Sequence, residues 1–483
     1  MAIARGGWLL ITCACLALPR QASADTLKEA LAQAYETNPT LEAARAQLRA
    51  TDENVPIQRA DGLPSLNASG QYTEYVVQAT SSFINPERAA QAGLELSVPL
   101  YSGGRVRNGI NAAETRVLAG RANLRATESS VFSQVVAAYM DVILQEAIVG
   151  LSSNNVDVLQ VNLQATSDRF EIGDLTRTDV AQSQARLAQA ESSLRSAKAN
   201  LTEARERYIR LVGEMPTDLQ APPPLPGLPE TPDDAVIVAL ENNPDMIAAR
   251  REAKAAGYDI EVAGAGRLPT VSLFANGNYN NYLGTLGSIS GSPADQAQTS
   301  SQAGVRVQMP LFQGGAVSAR QRQAQANASA ALERAIGTER EIIATVRAAY
   351  SSWQAANEII RSSQAAVDAA DLSLEGVRAE NTVGNRTILD ILNAQQELLS
   401  AQVDLVTARR NAYVAGFTLL AAMGRAEARD LGLEDEIVGP LYDPTEYYDR
   451  VRGNLWDWSR NPDPVAESTR TVDIPAPDGE ISE

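Results

Sequence analysis

The chain has 483 residues, with 41 Lys+Arg against 59 Asp+Glu, a formal net charge of −18, two cysteines and no histidine. Without histidine there is no Ser-His-Asp triad, no Cys-His dyad and no imidazole-ligated metal. None of its lysines (Lys28, Lys198, Lys254) lies in a G-x-x-x-x-G-K loop, and the acidic balance argues against nucleic acid as a partner. What remains is carboxylate-only chemistry or no chemistry, so no catalytic residue, metal ligand or cofactor is assigned.

In chain order, Arg5 is followed by the apolar run Trp8 to Leu18 and then by Ala22-Ser23-Ala24. This is the pattern of a secretory signal peptide over residues 1–24, too short to span a bilayer as a helix. Both cysteines, Cys13 and Cys15, fall inside it. Acylation of one of them is the alternative, disfavoured by the bulk of Thr12. Cleavage removes Arg5 and Arg20 and no acid, which takes the charge from −18 to −20. Beyond residue 24 no uninterrupted apolar stretch reaches the ~18 residues of a transmembrane helix. The exported chain is therefore periplasmic or an outer-membrane β-barrel protein.

A first repeat is read over residues 25–213. Thr26 and Glu29 form a capping box that opens a short helix. Asn38-Pro39 breaks it, and a second helix runs to about Ala60. Strands follow at about 65–76 and 91–101. In the first, Leu66, Ala68, Gly70 and Tyr72 alternate with Asn67, Ser69, Gln71 and Thr73. In the second, Leu94, Leu96, Val98 and Leu100 alternate with Glu95 and Ser97. About ten residues is the length of a tilted membrane strand. Tyr72, Tyr75 and Phe83 at one end, with Tyr101 and Phe312 at the other, have the placement of interfacial girdles. A proline-free stretch from Gly104 to about Glu171 predicts a helix of about 100 Å. A 4-3 stripe (Val131, Val135, Ala138, Val142) continues along it to Leu163, and the returning helix carries a matching stripe from Val180 to Leu211. Such a period means coiled-coil packing. The hairpin tip falls near Gly173.

A proline-rich linker occupies 214–234, and the plan then repeats over 235–433. An offset of 205 carries Asn38-Pro39 onto Asn243-Pro244 and Leu63-Pro64 onto Leu268-Pro269. An offset of 211 carries Pro99-Leu100-Tyr101-Ser102-Gly103-Gly104 onto Pro310-Leu311-Phe312-Gln313-Gly314-Gly315, and Gly173 onto Gly384. The second repeat has strands at about 270–281 and 302–312 and a tip near 384. The remaining tail, 434–483, is acidic and Pro-rich and is expected to be disordered or draped on the periplasmic equator. Alternation alone leaves a soluble sandwich open; the long hairpins decide against it. Four strands cannot close a barrel when the smallest need eight, so copies must pool their strands, and three copies give twelve.

These features resemble the TolC family of outer-membrane efflux and secretion channels. The resemblance covers nearly all of 25–433. It rests on the tandem repeat, the Asn-Pro after each short helix, the Pro-Leu-(Tyr/Phe)-x-Gly-Gly junctions and the two tip motifs. Those tips run from Arg169 to Val180 and from Val383 to Leu392. The resemblance implies a mainly α chain with a transmembrane β portion, built into a homotrimeric duct. A twelve-stranded barrel in outer-membrane lipid would continue into a coiled-coil α-helical barrel. It implies docking to a periplasmic adaptor and to an inner-membrane RND pump or ABC exporter, with drugs or secreted polypeptides as cargo. In that family the tips close the entrance through polar links, which match Asp179 and Thr178 on one hairpin and Arg386 on the other. Asn381 stands where the family has a tyrosine. Asp390 matches an entrance acidic ring whose second position is Asn393 here, so one ring is implied. Adaptor docking is implied at Gly173, Leu175, Gly384 and Thr387. The bland alternative for these charges is a solvated hairpin tip. The alternative function is a periplasmic coiled-coil adaptor without a barrel; a carboxylate-only hydrolase would need facing acids that no loop gathers.

Overall fold

A computed structural model describes residues 26–77, 86–289, 292–434 and 440–481. The signal segment with Cys13 and Cys15, and Phe83 of the upper aromatic cluster, lie outside the described residues. The elements are α1 (Leu27–Thr37), α2 (Pro39–Asp52), α3 (Asn54–Ala60), β1 (Ser65–Glu74), β2 (Arg88–Tyr101), α4 (Arg105–Glu171) and α5 (Arg177–Val212). They continue with α6 (Pro232–Asn242), α7 (Pro244–Gly264), β3 (Thr270–Asn281), the short pair β4 (Ser288–Ile289) and β5 (Ser292–Pro293), and β6 (Ala297–Gln308). The last are α8 (Ala316–Thr382), α9 (Ile388–Ala422) and α10 (Glu446–Val451).

Both long helices have 67 residues, and each starts after a left-handed glycine, Gly104 (φ 83°) or Gly315 (φ 81°). That conformation is costly for any residue with a Cβ, which explains the Gly-Gly at each strand-to-helix corner. The 4-3 stripes form the seams of the hairpins: Val131, Val135, Ala138, Val142 and Val149 of α4 are buried, as are Ala190, Ala197, Leu201 and Tyr208 of α5. The seam of the second hairpin buries Ile342, Val346, Ala349, Leu405, Ala408 and Leu419. One window of α4 has the length and hydropathy of a membrane helix. The Val131, Phe132, Val135 and Tyr139 side chains of this helix are part of the main hydrophobic cluster, with Tyr35, Leu41, Leu201 and Phe417.

The Asn-Pro motifs have a shared physical task. Asn38 caps α2 by accepting from Thr40 N at 2.9 Å, and its Nδ2 donates to the Leu211 carbonyl at 2.9 Å. Asn243 does the same, accepting from Asp245 N at 2.9 Å and donating to the Ala422 carbonyl at 2.9 Å. Each therefore starts one helix and ties off the end of a returning helix. The linker is held likewise by repeat-related tyrosines: Tyr139 donates to the Gln220 carbonyl at 2.6 Å and Tyr350 to the Glu230 carbonyl at 2.7 Å.

The four main strands form one antiparallel sheet in the order β1-β2-β3-β6. Register places Leu66, Leu96, Ala275 and Ala303 in one row, with Val98, Leu273 and Val305 in another, all on one face. Asn67, Glu95, Asn276 and Gln302 form a row on the opposite face. The apolar face is open: Leu66 is 69% exposed and Val307 65%. This is the apolar-out, polar-in alternation of a membrane barrel wall. The outer edges of β1 and β6 have no partner strand among the described residues, a row of bonding groups that a neighbouring copy would satisfy.

One expectation is corrected. The strand expected at 302–312 runs 297–308, because its partner β3 begins at Thr270, opposite Gln308, and nothing among the described residues remains to pair with Met309 onward. Of the two alternatives for the tail, disordered or draped, the described residues 440–481 take the second: they lie against α1, α2, α4 and α5, and include α10.

Candidate functional site at the hairpin tips

The two tips are built to one plan. Gly173 (φ 83°) and Gly384 (φ 84°) take the left-handed turn that ends α4 and α8. Three residues later the chain enters a capping box. At the first tip Thr176 Oγ1 accepts from Asp179 N at 3.3 Å, and Asp179 Oδ2 accepts from Thr176 N at 2.9 Å and from its hydroxyl at 2.7 Å. At the second, Thr387 and Asp390 make the same bonds at 3.3, 2.9 and 2.7 Å. The hydroxyl and backbone donors of Thr176 hold the Asp179 carboxyl below its usual range, and those of Thr387 do so for Asp390. Both carboxylates are therefore charged at neutral pH.

The structure does not join Asp179 to Arg386 within one protomer. Arg386 Nε donates to Glu380 Oε2 at 2.7 Å across its own turn, and this pairing holds its guanidinium in the charged form. Asn381, which replaces the resemblance's tyrosine, donates to the Arg386 carbonyl at 2.7 Å. The first tip has a similar clamp of different residues, Arg169 with Asp174 at 2.6 Å. Asn393 accepts from Arg186 at 2.9 Å and so links α9 to α5, while Asn162 donates to Gln395 at 2.9 Å and links α4 to α9. Above the tips Arg186 and Gln395 border a polar groove of about 320 Å³, also lined by Ser152, Asn155 and Gln189.

Of the residues assigned to docking, Gly173 and Gly384 are exposed, Leu175 is half-buried, and the hydroxyl of Thr387 is used as the cap. Thr178 is exposed in the first turn of α5. Sequence reasoning missed Ile172 and Val383, which are 81% and 71% exposed and precede the two turn glycines. The signal was present: an offset of 211 maps one onto the other, and an apolar side chain at a solvated turn in both halves asks for a partner. That offset also maps Asp179 onto Asp390, so the gate acid and the ring acid are one position of the repeat.

Comparison with known proteins follows from this geometry. The family model described as outer membrane efflux protein matches residues 30–214 and 236–425. The chain is 34% identical over 442 residues to the outer membrane efflux protein BepC of Brucella suis biovar 1, covering 92% of this chain and 93% of BepC. It is 25% identical over 422 residues to the outer membrane protein TolC of Escherichia coli K12, covering 84% of each. Among solved structures, the outer membrane protein VceC of Vibrio cholerae aligns with a TM-score of 0.70 at 23% identity, covering 82% of this chain and 96% of VceC.

Proposed function

This chain belongs to the outer membrane efflux protein family and is an outer-membrane export duct; on that premise we propose that its hairpin tips form a charged periplasmic entrance in a homotrimer. Its relatives are channels rather than enzymes, and membership of the family replaces the periplasmic adaptor alternative. The observation that carries the trimer is the four-stranded sheet with an apolar outer face and two unpaired edges among the described residues. The edge of β1 in one copy pairs with the edge of β6 in the next, and three sheets close a barrel of twelve strands.

At the other end, Asp179 and Asp390 repeat around the axis as fixed negative charges, with Arg386 beside them. Arg386 holds the resting entrance by exchanging between Glu380 of its own turn and carboxylates of the adjoining hairpin. An exposed pair of this kind is weak enough to open when a partner engages. The tips dock a periplasmic adaptor through Ile172 and Val383 around the exposed glycines. The adaptor connects the duct to an RND pump or ABC exporter.

Two measurements test this. Arg386→Ser should raise single-channel conductance in a planar bilayer, and unchanged conductance refutes the gate. In a salt gradient the reversal potential should show cation preference that falls in Asp390→Asn; anion preference in the parent would refute the charged entrance.

A further inference from the structure

The tail that follows the second repeat climbs toward the sheet and turns back. Tyr442 N donates to Tyr35 Oη at 3.1 Å, near the middle of α4. Higher up, Tyr447 donates to Glu53 at 2.5 Å, and Tyr448 packs on Val55, Ala113 and Val117. At the top, the Arg452 carbonyl accepts from Arg59. Arg59 is close to the end of α3, whose next residues meet the first turn of α4 through the Asp61–Arg105 pair at 3.3 Å. This is the level at which sheet gives way to helix.

There the chain makes a closed turn. Trp456 N donates to Asn454 Oδ1 at 3.1 Å and Ser459 N to the Trp456 carbonyl at 3.0 Å. Asn461 then returns to Tyr447 Oη at 2.9 Å, and the chain descends until Glu480 meets Lys198 at 2.6 Å. The apex of this excursion carries Leu455, Trp456 and Trp458, exposed by 67, 70 and 82%. Nothing in the turn's own construction needs two indoles. The Arg59–Arg452 contact, three residues before Leu455, brings this turn to the helix-side end of the sheet, where Leu100 and Tyr101 of β2 and Leu311 and Phe312 beyond β6 are also exposed. An indole combines a large apolar body with one polar N–H, the combination that favours the boundary between acyl chains and headgroups.

We propose that the turn Leu455–Trp458 is a membrane-interface anchor, its indoles seated in phospholipid of the periplasmic leaflet beside the barrel. It continues the apolar belt of the sheet onto an element outside it, and it ties the tail to the bilayer at one end and to α5 at the other. The proposal rests on the sheet being the membrane-spanning part.

The mature chain is suited to the test, because its only tryptophans are Trp353, Trp456 and Trp458, the remaining one being Trp8 of the signal segment. The full mature protein is placed in phosphatidylethanolamine–phosphatidylglycerol vesicles with or without brominated acyl chains, and indole emission is recorded. Brominated lipid should remove at least a third of the emission of the parent. It should remove none from Trp456→Phe/Trp458→Phe, where only Trp353 remains; the two single variants, read in the same way, divide the effect between the indoles. Emission from inserted trimer that ignores bromolipid overturns the anchor: quenching by iodide would then place the turn in water, and resistance to both quenchers would place it under protein, a neighbouring copy included. Protein that fails to float with the vesicles overturns the membrane reading itself.

Discussion

The two long helices, α4 and α8, match residue for residue in length and in their caps, yet they are dressed differently. In α4, 22 residues are buried; in α8, eight are. The difference is sharpest at one pair of positions. Arg121 and Arg125 of α4 hold the chain's own later segments: Arg121 lies over the Tyr448 ring at 5.4 Å, and Arg125 pairs with Glu427 at 2.8 Å. Their repeat equivalents in α8 are Leu332 and Ile336, exposed by 57% and 45%. One helix finds its cover within the chain. The other leaves an apolar stripe uncovered within the chain, the face that a neighbouring copy would cover in the proposed trimer.

The strongest test of that contrast gives α8 the residues of α4. Leu332→Arg with Ile336→Arg should abolish the proposed trimer, since an uncompensated buried charge costs about 3–5 kcal/mol. Size-exclusion chromatography with light scattering reads the outcome. A surviving trimer would show that this stripe of α8 does not face a neighbour.

A smaller effect is expected on the α4 side, where the cover has a cost. Glu128 accepts from Ala428 N at 2.5 Å, and burial pushes its carboxyl up to about 7. A carboxyl raised in the folded state favours folding below its unfolded value, near 4.5, and that contribution disappears as pH rises through about 7. Glu128→Gln keeps an acceptor without the charge. It should match the parent in thermal stability near pH 4.5 and exceed it above pH 7 by up to about 3 kcal/mol. A pH-independent difference would assign the effect to packing. Asp52, whose buried carboxyl oxygens lack hydrogen-bond partners among the described residues, is pushed up to about 6 for the same reason.

The smallest effect belongs where the repeats agree. Thr176→Ala removes the α5 cap and should loosen the first tip by about 1 kcal/mol. Hydrogen exchange should quicken over residues 169–180, and Thr387→Ala should quicken the second tip by a similar factor. Unequal responses would mean that the Arg169–Asp174 and Arg386–Glu380 clamps, and not the shared capping box, hold the turns.

What could be read in the sequence follows from the range of the forces involved. Periodicity and the offset of 211 made the hairpins, the tips and the strand alternation legible, because a coiled-coil seam and a two-residue alternation are written in consecutive side chains. Strand ends were less legible: β6 stops where β3 stops, a property of its partner. At the tips, Thr176-x-x-Asp179 and Thr387-x-x-Asp390 have the spacing of capping boxes, a local signal distinct from the gate roles that the family resemblance implies for Asp179 and Arg386. That Arg386 meets Glu380, six positions back, depends on the turn that brings them together. The path of the tail was least legible of all, since its partners Arg59, Lys198 and Arg205 come from distant parts of the chain.

The equal spans of α4 and α8 make length itself a trait of this molecule. One residue inserted into a single hairpin would turn its tip by about 100° and lower it by about 1.5 Å. A whole heptad would leave the seam in phase and still drop that tip by about 10 Å below its counterpart. In the proposed trimer a rim of six tips would stay flush only while both helices change together. The two hairpins thus act as matched rulers, and a partner reaching up from below is held to a fixed reach by how many turns they count.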